Sequence, residues 1–285
     1  MSFAVQKFGT SRENLAFETI MPTSSTRTNA EHRAPTKKTI ARVTDLLRAE
    51  YGSRQPMKRD ALDGLVLIIL SQATNDINCD RAFSSLKATF PTWDEVLAAD
   101  VTQVADAIRS GGLANQKASR IQEILRQMKA ESGSLNLDWM HDATTTQCRD
   151  YLQTFHGVGP KTIACELVFF LGKPAFPVDT HVHRVTKRLG WIRAVANAEE
   201  AHRVLEVAVP DDCKLDLHVN LISHGRAICR AEGNGGPKCG LCLLKKSCAY
   251  GKLRTKDKGE SNATSSTRFH GTDFFVTLEP NEPKA

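Results

Sequence analysis

Lys161 stands in "HGVGPKTIACELVFF", residues 156–170, directly after two glycines that flank one valine and just ahead of an apolar run. Glycines one residue apart let the chain take backbone angles that a Cβ resists. A tight turn that opens a helix also aims unpaired backbone N–H groups outward, where a phosphate oxygen can accept them. The same residues equally suit an ordinary turn between two helices. Eighteen residues on, Asp179 opens "FPVDTHVHRVTKRLG", the start of a basic amphipathic helix, where a carboxylate makes a good cap. An amine at the mouth of a phosphate-binding turn and a carboxylate at a second helix start together read as a nucleophile with an electrostatic partner. Chemistry at a sugar C1′, where positive charge develops, uses such a pair.

The second chemical feature is sulfur. Of eight cysteines, Cys79, Cys148, Cys165 and Cys213 are scattered through apolar or helical contexts, where small buried residues are expected. Cys229, Cys239, Cys242 and Cys248 crowd into "CRAEGNGGPKCGLCLLKKSC", a C-x9-C-x2-C-x5-C pattern. Four thiolates hold either a structural zinc or a [4Fe–4S] cluster, and spacing alone does not choose between them.

These residues need elements to position them. With 285 residues, 41% hydrophobic and 25% charged, the chain can bury one large or two modest cores. The net charge of +6 permits a polyanionic partner without requiring one. The longest apolar run, Leu65 to Leu70, is far short of the roughly 20 residues of a membrane span. "MSFAVQKFGTSRENLAFETI" has no unbroken apolar stretch of the secretory kind, so an intracellular protein is expected. Helical spacing dominates between residue 37 and 228, as in Val96, Leu97, Val101, Val104, Ala105 and Ile108, read as one helix, and in Ile121, Ile124, Leu125 and Met128. No strand-like alternation of comparable length appears, so the fold class is all-α. Residues 1–35 read as a flexible arm and 251–285 as a tail, with "FFVTL" at 274–278 able to pack as a short strand.

Taken together, "FHGVGPKTIA", "FPVDTHVHRV" and the four clustered cysteines resemble endonuclease III, the iron–sulfur DNA glycosylase of the helix–hairpin–helix superfamily, over residues 37 to 250. "LILSQATND" at 67–76 resembles the segment whose glutamine fills the gap left by a flipped base, here Gln72. "SGGLANQKASRI" at 110–121 resembles the loop whose leucine wedges into the duplex, here Leu113. The resemblance makes Lys161 the Schiff-base nucleophile and Asp179 the catalytic carboxylate. Gln72, Leu113, Gly157, Gly159 and His181 become the DNA-contacting set, and the four cysteines ligands of a [4Fe–4S] cluster. Three departures stand out: a longer first cysteine interval, His156 in place of a proline before the hairpin, and Asn75 with Asp76 where an aspartate commonly follows "QAT" directly.

The resemblance implies two lobes, a helical barrel at 58–171 and a cluster domain made of 36–57 with 172–250, and an active site in the groove between them. The expected activity is that of a bifunctional DNA glycosylase and AP lyase for oxidised pyrimidines. Its partner is double-stranded DNA with a damaged base or abasic site, bound by a monomer in the cytoplasm or nucleoid. A glycosylase of the same fold with another lesion choice is the nearest alternative, and a non-catalytic DNA-binding or redox-sensing module is the more distant one. An amine that attacks must be unprotonated, and burial or neighbouring positive charge from His181, Arg184 and Lys187 is expected to lower the Lys161 pKa.

Overall fold

Side-chain oxygens set the helix starts wherever the sequence supplies them. In the computed structural model, which describes residues 34–257, Thr36 caps α1 (Lys37–Tyr51), Asp60 caps α2 (Ala61–Ser71), Asn75 caps α3 (Asp76–Thr89) and Thr92 caps α4 (Trp93–Ala98). Each accepts a backbone N–H three residues on. There follow α5 (Val101–Ala107), α6 (Ala114–Ser132), α7 (Thr145–Leu152), α8 (Pro160–Cys165), α9 (Thr180–Leu189), α10 (Ala198–Ala208), α11 (Lys214–Ala227) and α12 (Ala249–Asp257). Among the described residues there is no strand, and no helix is long and apolar enough to cross a membrane.

Three boundaries differ from the sequence expectation. The periodic stretch 96–108 is two helices, because Asp100 interrupts it: its backbone N–H donates to the Gln103 side chain and opens α5 afresh. The helix carrying Lys161 stops being α-helical at Cys165 and continues as a π-helical turn over Glu166–Phe170, with the Leu171 N–H reaching the Glu166 carbonyl at 3.1 Å. The tail expected from residue 251 begins instead inside α12. Cys248 starts that helix, its Sγ accepting the Gly251 N–H at 3.3 Å and its carbonyl the Lys252 N–H at 3.1 Å. Nearly all of the amino-terminal arm, and the strand expected at 274–278, lie outside the described residues.

Buried apolar residues form two clusters. One gathers α2 to α8 and the π-helical turn, from Ala61 to Ala175 with Val219. The other joins Ile40, Val43 and Leu47 of α1 to Phe176 and onward through Cys248. At the centre of the first, Leu65 to Leu70 of α2 are buried on every side, which is how an all-apolar helix is accommodated in a globular protein. Gly64 lets α2 approach the π-helical turn closely, since a Cβ there would lie 2.4 Å from the Phe170 ring.

A buried carboxyl sits in this apolar cluster. Glu166 is wholly buried, and among the described residues neither carboxyl oxygen has a hydrogen-bond partner. Burial first, and Asp60 second, hold its pKa well above the ordinary carboxylate range, so the carboxyl is neutral in the folded protein and ionised once unfolded at neutral pH. Its contribution to stability is complete below the pKa of an unfolded carboxylate, about 4.3, and is lost as pH rises towards the raised folded value. Glu166→Leu is therefore expected to flatten the fall in stability between about pH 5 and 8, and to raise it at the upper end by about 1–3 kcal/mol, the cost of burying an unpaired polar group. Urea unfolding of both proteins across that range measures the difference.

Candidate active site

The hairpin ahead of Lys161 is built by one glycine of the two. Gly157 has φ +78°, and a Cβ on it would sit 2.3 Å from Arg120 Nε. The Val158 N–H closes the turn on the Phe155 carbonyl at 3.1 Å, with both side chains buried. Gly159 differs from the expectation that both glycines serve the turn. Its φ of −92° suits any residue, and nothing lies within 4 Å of its Cβ position. It caps α8, Pro160 takes the first helical position, where its missing N–H costs nothing, and Lys161 comes next. His156 is exposed, 3.5 Å from Glu123.

Lys161 opens into a pocket of about 530 Å³ that it lines together with Gln72, Asp179, His181 and His218. Asp179 caps α9, its Oδ1 accepting the Val182 N–H at 2.7 Å. The capping and electrostatic roles thus coexist in one carboxylate. The Cys165 sulfur, one turn along α8, acts on the amine first, with Asp179 after it, and both favour the charged ammonium. Burial opposes them, and the balance raises the Lys161 pKa. This reverses the lowering expected from the sequence. Burial also pushes the Cys165 thiol up, with Lys161 opposing it.

Gln72 ends α2 and is held from both sides, Oε1 accepting from Arg120 Nη1 at 2.9 Å and Nε2 donating to Thr162 Oγ1 at 3.3 Å. Asn75 and Asp76 divide two tasks, since Asn75 caps α3 and Asp76 meets Arg226 at 3.1 Å beside the pocket. His181 Nδ1 accepts from Arg184 Nη2 at 3.0 Å. Leu113, Gly157 and Gly159 do not line the pocket. Leu113 is 54% exposed and holds a left-handed backbone with φ +50°, which costs energy in a residue other than glycine.

Sequence reasoning missed His218 and the link between Cys165 and Lys161. His218 is almost wholly buried, and burial lowers its pKa to about 4, with Asp179 opposing and Lys161 assisting. It is therefore neutral. Its Nδ1 lies 2.8 Å from the Pro177 carbonyl; a carbonyl only accepts, so Nδ1 carries the proton and Nε2 is left for the pocket. Only tertiary packing brings α11 to α8, and no local pattern marks His218 as a pocket residue.

The four clustered cysteines line a second, small pocket with Arg188, Lys238, Lys245 and Tyr250. Arg188 Nη1 donates to Cys229 Sγ at 3.3 Å, and His224 Nε2 lies 3.4 Å from Cys242 Sγ. The long first interval folds back on itself: Gly235 and Gly236 have φ of +80° and +67°, and the Lys238 N–H returns to the Ile228 carbonyl at 2.9 Å. The loop is tied down by Arg188 to the Arg230 carbonyl at 2.7 Å and by Tyr250 Oη to Glu232 at 2.9 Å. The extra residues thus leave Cys229 and Cys239 on one pocket. Among the described residues, no three histidine, cysteine or acidic side chains converge as ligands of a single ion.

Residues 66–211 match the family described as HhH-GPD superfamily base excision DNA repair protein. A provisionally named DNA glycosylase of Arabidopsis thaliana is 43% identical over 177 residues, 62% of this chain; the chain spans 60% of that relative's length. Endonuclease III of Thermotoga maritima is 32% identical over 207 residues, 73% of this chain and 90% of the relative. A solved structure of a trapped endonuclease III–DNA covalent intermediate superposes with a TM-score of 0.64 at 28% identity, covering 78% of this chain and 99% of that one. The family match, the likeness along almost the whole of the Thermotoga protein and the shared helical architecture agree: the chain belongs to the HhH-GPD superfamily of base excision DNA repair proteins.

Proposed function

We propose that this protein is a bifunctional DNA glycosylase and AP lyase that acts on oxidised pyrimidines in duplex DNA, with the two buried clusters serving as its two lobes. The observation that carries the reading is that Lys161 and Asp179 line one pocket, with Gln72 at its edge. The relatives named endonuclease III, and the covalent DNA intermediate solved for one such protein, support it.

A base stacked in a duplex is out of reach, so the nucleotide must first swing out into the pocket, at a cost of a few kcal/mol. Gln72 offers an amide to the orphaned strand, and exposed Leu113 an apolar wedge. The hairpin N–H groups around Gly157 and Gly159 hold phosphate without reading sequence, and His181 stands at the same wall. Lys161 Nζ then attacks C1′ as the glycosidic bond breaks, its electron pair leaving with the base. The resting amine is protonated, and the proton it must lose is one that the departing base must gain. Asp179 stabilises the positive charge that develops on the sugar. Breaking the C1′–O4′ bond, with a proton of the bound amine passing to O4′, then gives the imine, which allows β-elimination of the 3′ phosphate and release of the enzyme by hydrolysis.

Cys229, Cys239, Cys242 and Cys248 would hold the [4Fe–4S] cluster. Four thiols on one pocket, with N–H donors to Cys229 and Cys248 and cationic side chains around them, suit that group. The cluster's contribution is to tie α9, α11 and α12 together, apart from the sugar chemistry.

Borohydride added during reaction with an abasic or lesion-containing duplex is expected to leave a covalent adduct that peptide mapping places on Lys161. Lys161→Gln should abolish both adduct and strand cleavage while DNA binding persists. Wild-type cleavage rates in that variant would remove Lys161 as nucleophile. Asp179→Asn should slow base release by about 10²-fold, the scale of lost preorganised electrostatics. It should cost little stability, because an asparagine caps a helix as well as an aspartate; thermal melting checks that the loss is chemical. The purified protein should be yellow-brown and contain iron, and Cys242→Ala should lose colour and solubility together; bound zinc without iron would refute the cluster assignment.

A further inference from the structure

Lys117 is a buried cation to which the reaction gives no role. It closes the first turn of α6 and is 2% exposed. Its Nζ donates to the Leu70 carbonyl at 2.8 Å and to the Gly111 carbonyl at 2.7 Å. Leu70 lies two residues ahead of Gln72, and Gly111 two residues ahead of Leu113. One ammonium therefore joins the two segments that carry the gap-filling amide and the exposed leucine.

Both segments hold unfavourable backbone. Ala73 follows Gln72 with φ +53°, and Leu113 has φ +50°; such conformations persist only where the surroundings over-determine them. One turn further along the same face of α6, Arg120 grips Gln72 Oε1 and fills the space that a Cβ on Gly157 would need. Burying an ammonium is costly, and a methionine of similar length would fill the site without that cost. The two carbonyls are where the cost is recovered. They belong to the last turn of α2 and to the turn before α6, and the negative end of a helix favours a cation there.

We propose that Lys117 is a positioning residue that locks the Gln72 and Leu113 segments into one rigid body, so that both enter the duplex together at the same lesion. This rests on the reading of the protein as a glycosylase of duplex DNA. Arg120 extends the lock to the hairpin, so one face of α6 sets the register of three DNA-facing segments.

The test separates gap filling from chemistry. Duplex carrying an inert tetrahydrofuran abasic analogue, with 2-aminopurine opposite it, reports insertion through fluorescence and needs no reaction. Lys117→Met is expected to bind this duplex but to lose most of the fluorescence change seen with wild type. Borohydride trapping on an abasic duplex should slow by about 10-fold or more, as misplacement of positioning groups does, while trapping on an abasic single strand, which has no gap to fill, stays within about 2-fold. In a Leu113→Ala background, Lys117→Met should add little further loss, because coupled residues are not additive. Should thermal melting show Lys117→Met unfolded, Lys117→Gln, which retains one donor, is read in the same way. An unchanged fluorescence signal and duplex-to-single-strand ratio would overturn the proposal. So would an equal loss on both substrates, or full additivity with Leu113→Ala. A wild-type protein that gives the fluorescence change yet never traps would refute the Schiff-base reading and leave the positioning proposal to be decided by fluorescence alone.

Discussion

A pocket-lining amine and an unbroken run of buried residues share one short piece of chain, and the rest of the structure is arranged around that constraint. Lys161 lies at the open start of α8, while Ile163 to Leu171 are buried without a break. The burial anchors the base of α8 against α2, where Gly64 admits the Phe170 ring. An element so firmly held fixes where the amine enters the pocket wall, which is what the proposed role of Lys161 requires. The same anchoring leaves Glu166 neutral in the core, a sign that packing of the segment outweighs the comfort of one side chain.

The pocket's electrostatics follow from where the helices begin and end. Asp179 opens α9 and gives one oxygen to that cap, so the direction in which its charge acts is fixed by backbone geometry. His218 is neutral because it is buried, and its proton is fixed on Nδ1 by the Pro177 carbonyl. Cys165 first and Asp179 after it outweigh burial at Lys161, and the result is a resting ammonium.

The long cysteine interval illustrates how a local insertion is absorbed. Two left-handed glycines and the return of Lys238 to Ile228 close the extra residues into their own turn. Arg188 reaches across from α9 to hold the turn and stacks over the Tyr250 ring at 5.0 Å. The loop thereby gains partners in both α9 and α12, and the four sulfurs keep a common pocket.

The sequence by itself determined the helices, their caps and the residue types of the site, because these depend on local rules. Thr36, Asp60 and Asn75 cap where they stand, the apolar periodicity marks most helix bodies, and the Gly-Val-Gly turn, Lys161, Asp179 and the four cysteines are visible as spacing. It misread 96–108 as one helix because periodicity counts apolar residues and overlooks Asp100, whose capping competes with continuation. It misjudged Gly159, since a glycine's need for positive φ shows only in the folded backbone. The tertiary structure alone decided the protonation of Lys161, the arrival of His218 from α11 and the tie from Lys117 to two carbonyls. Each of these is set by groups tens of residues away in the chain or by burial, and charge, desolvation and hydrogen bonding act through space.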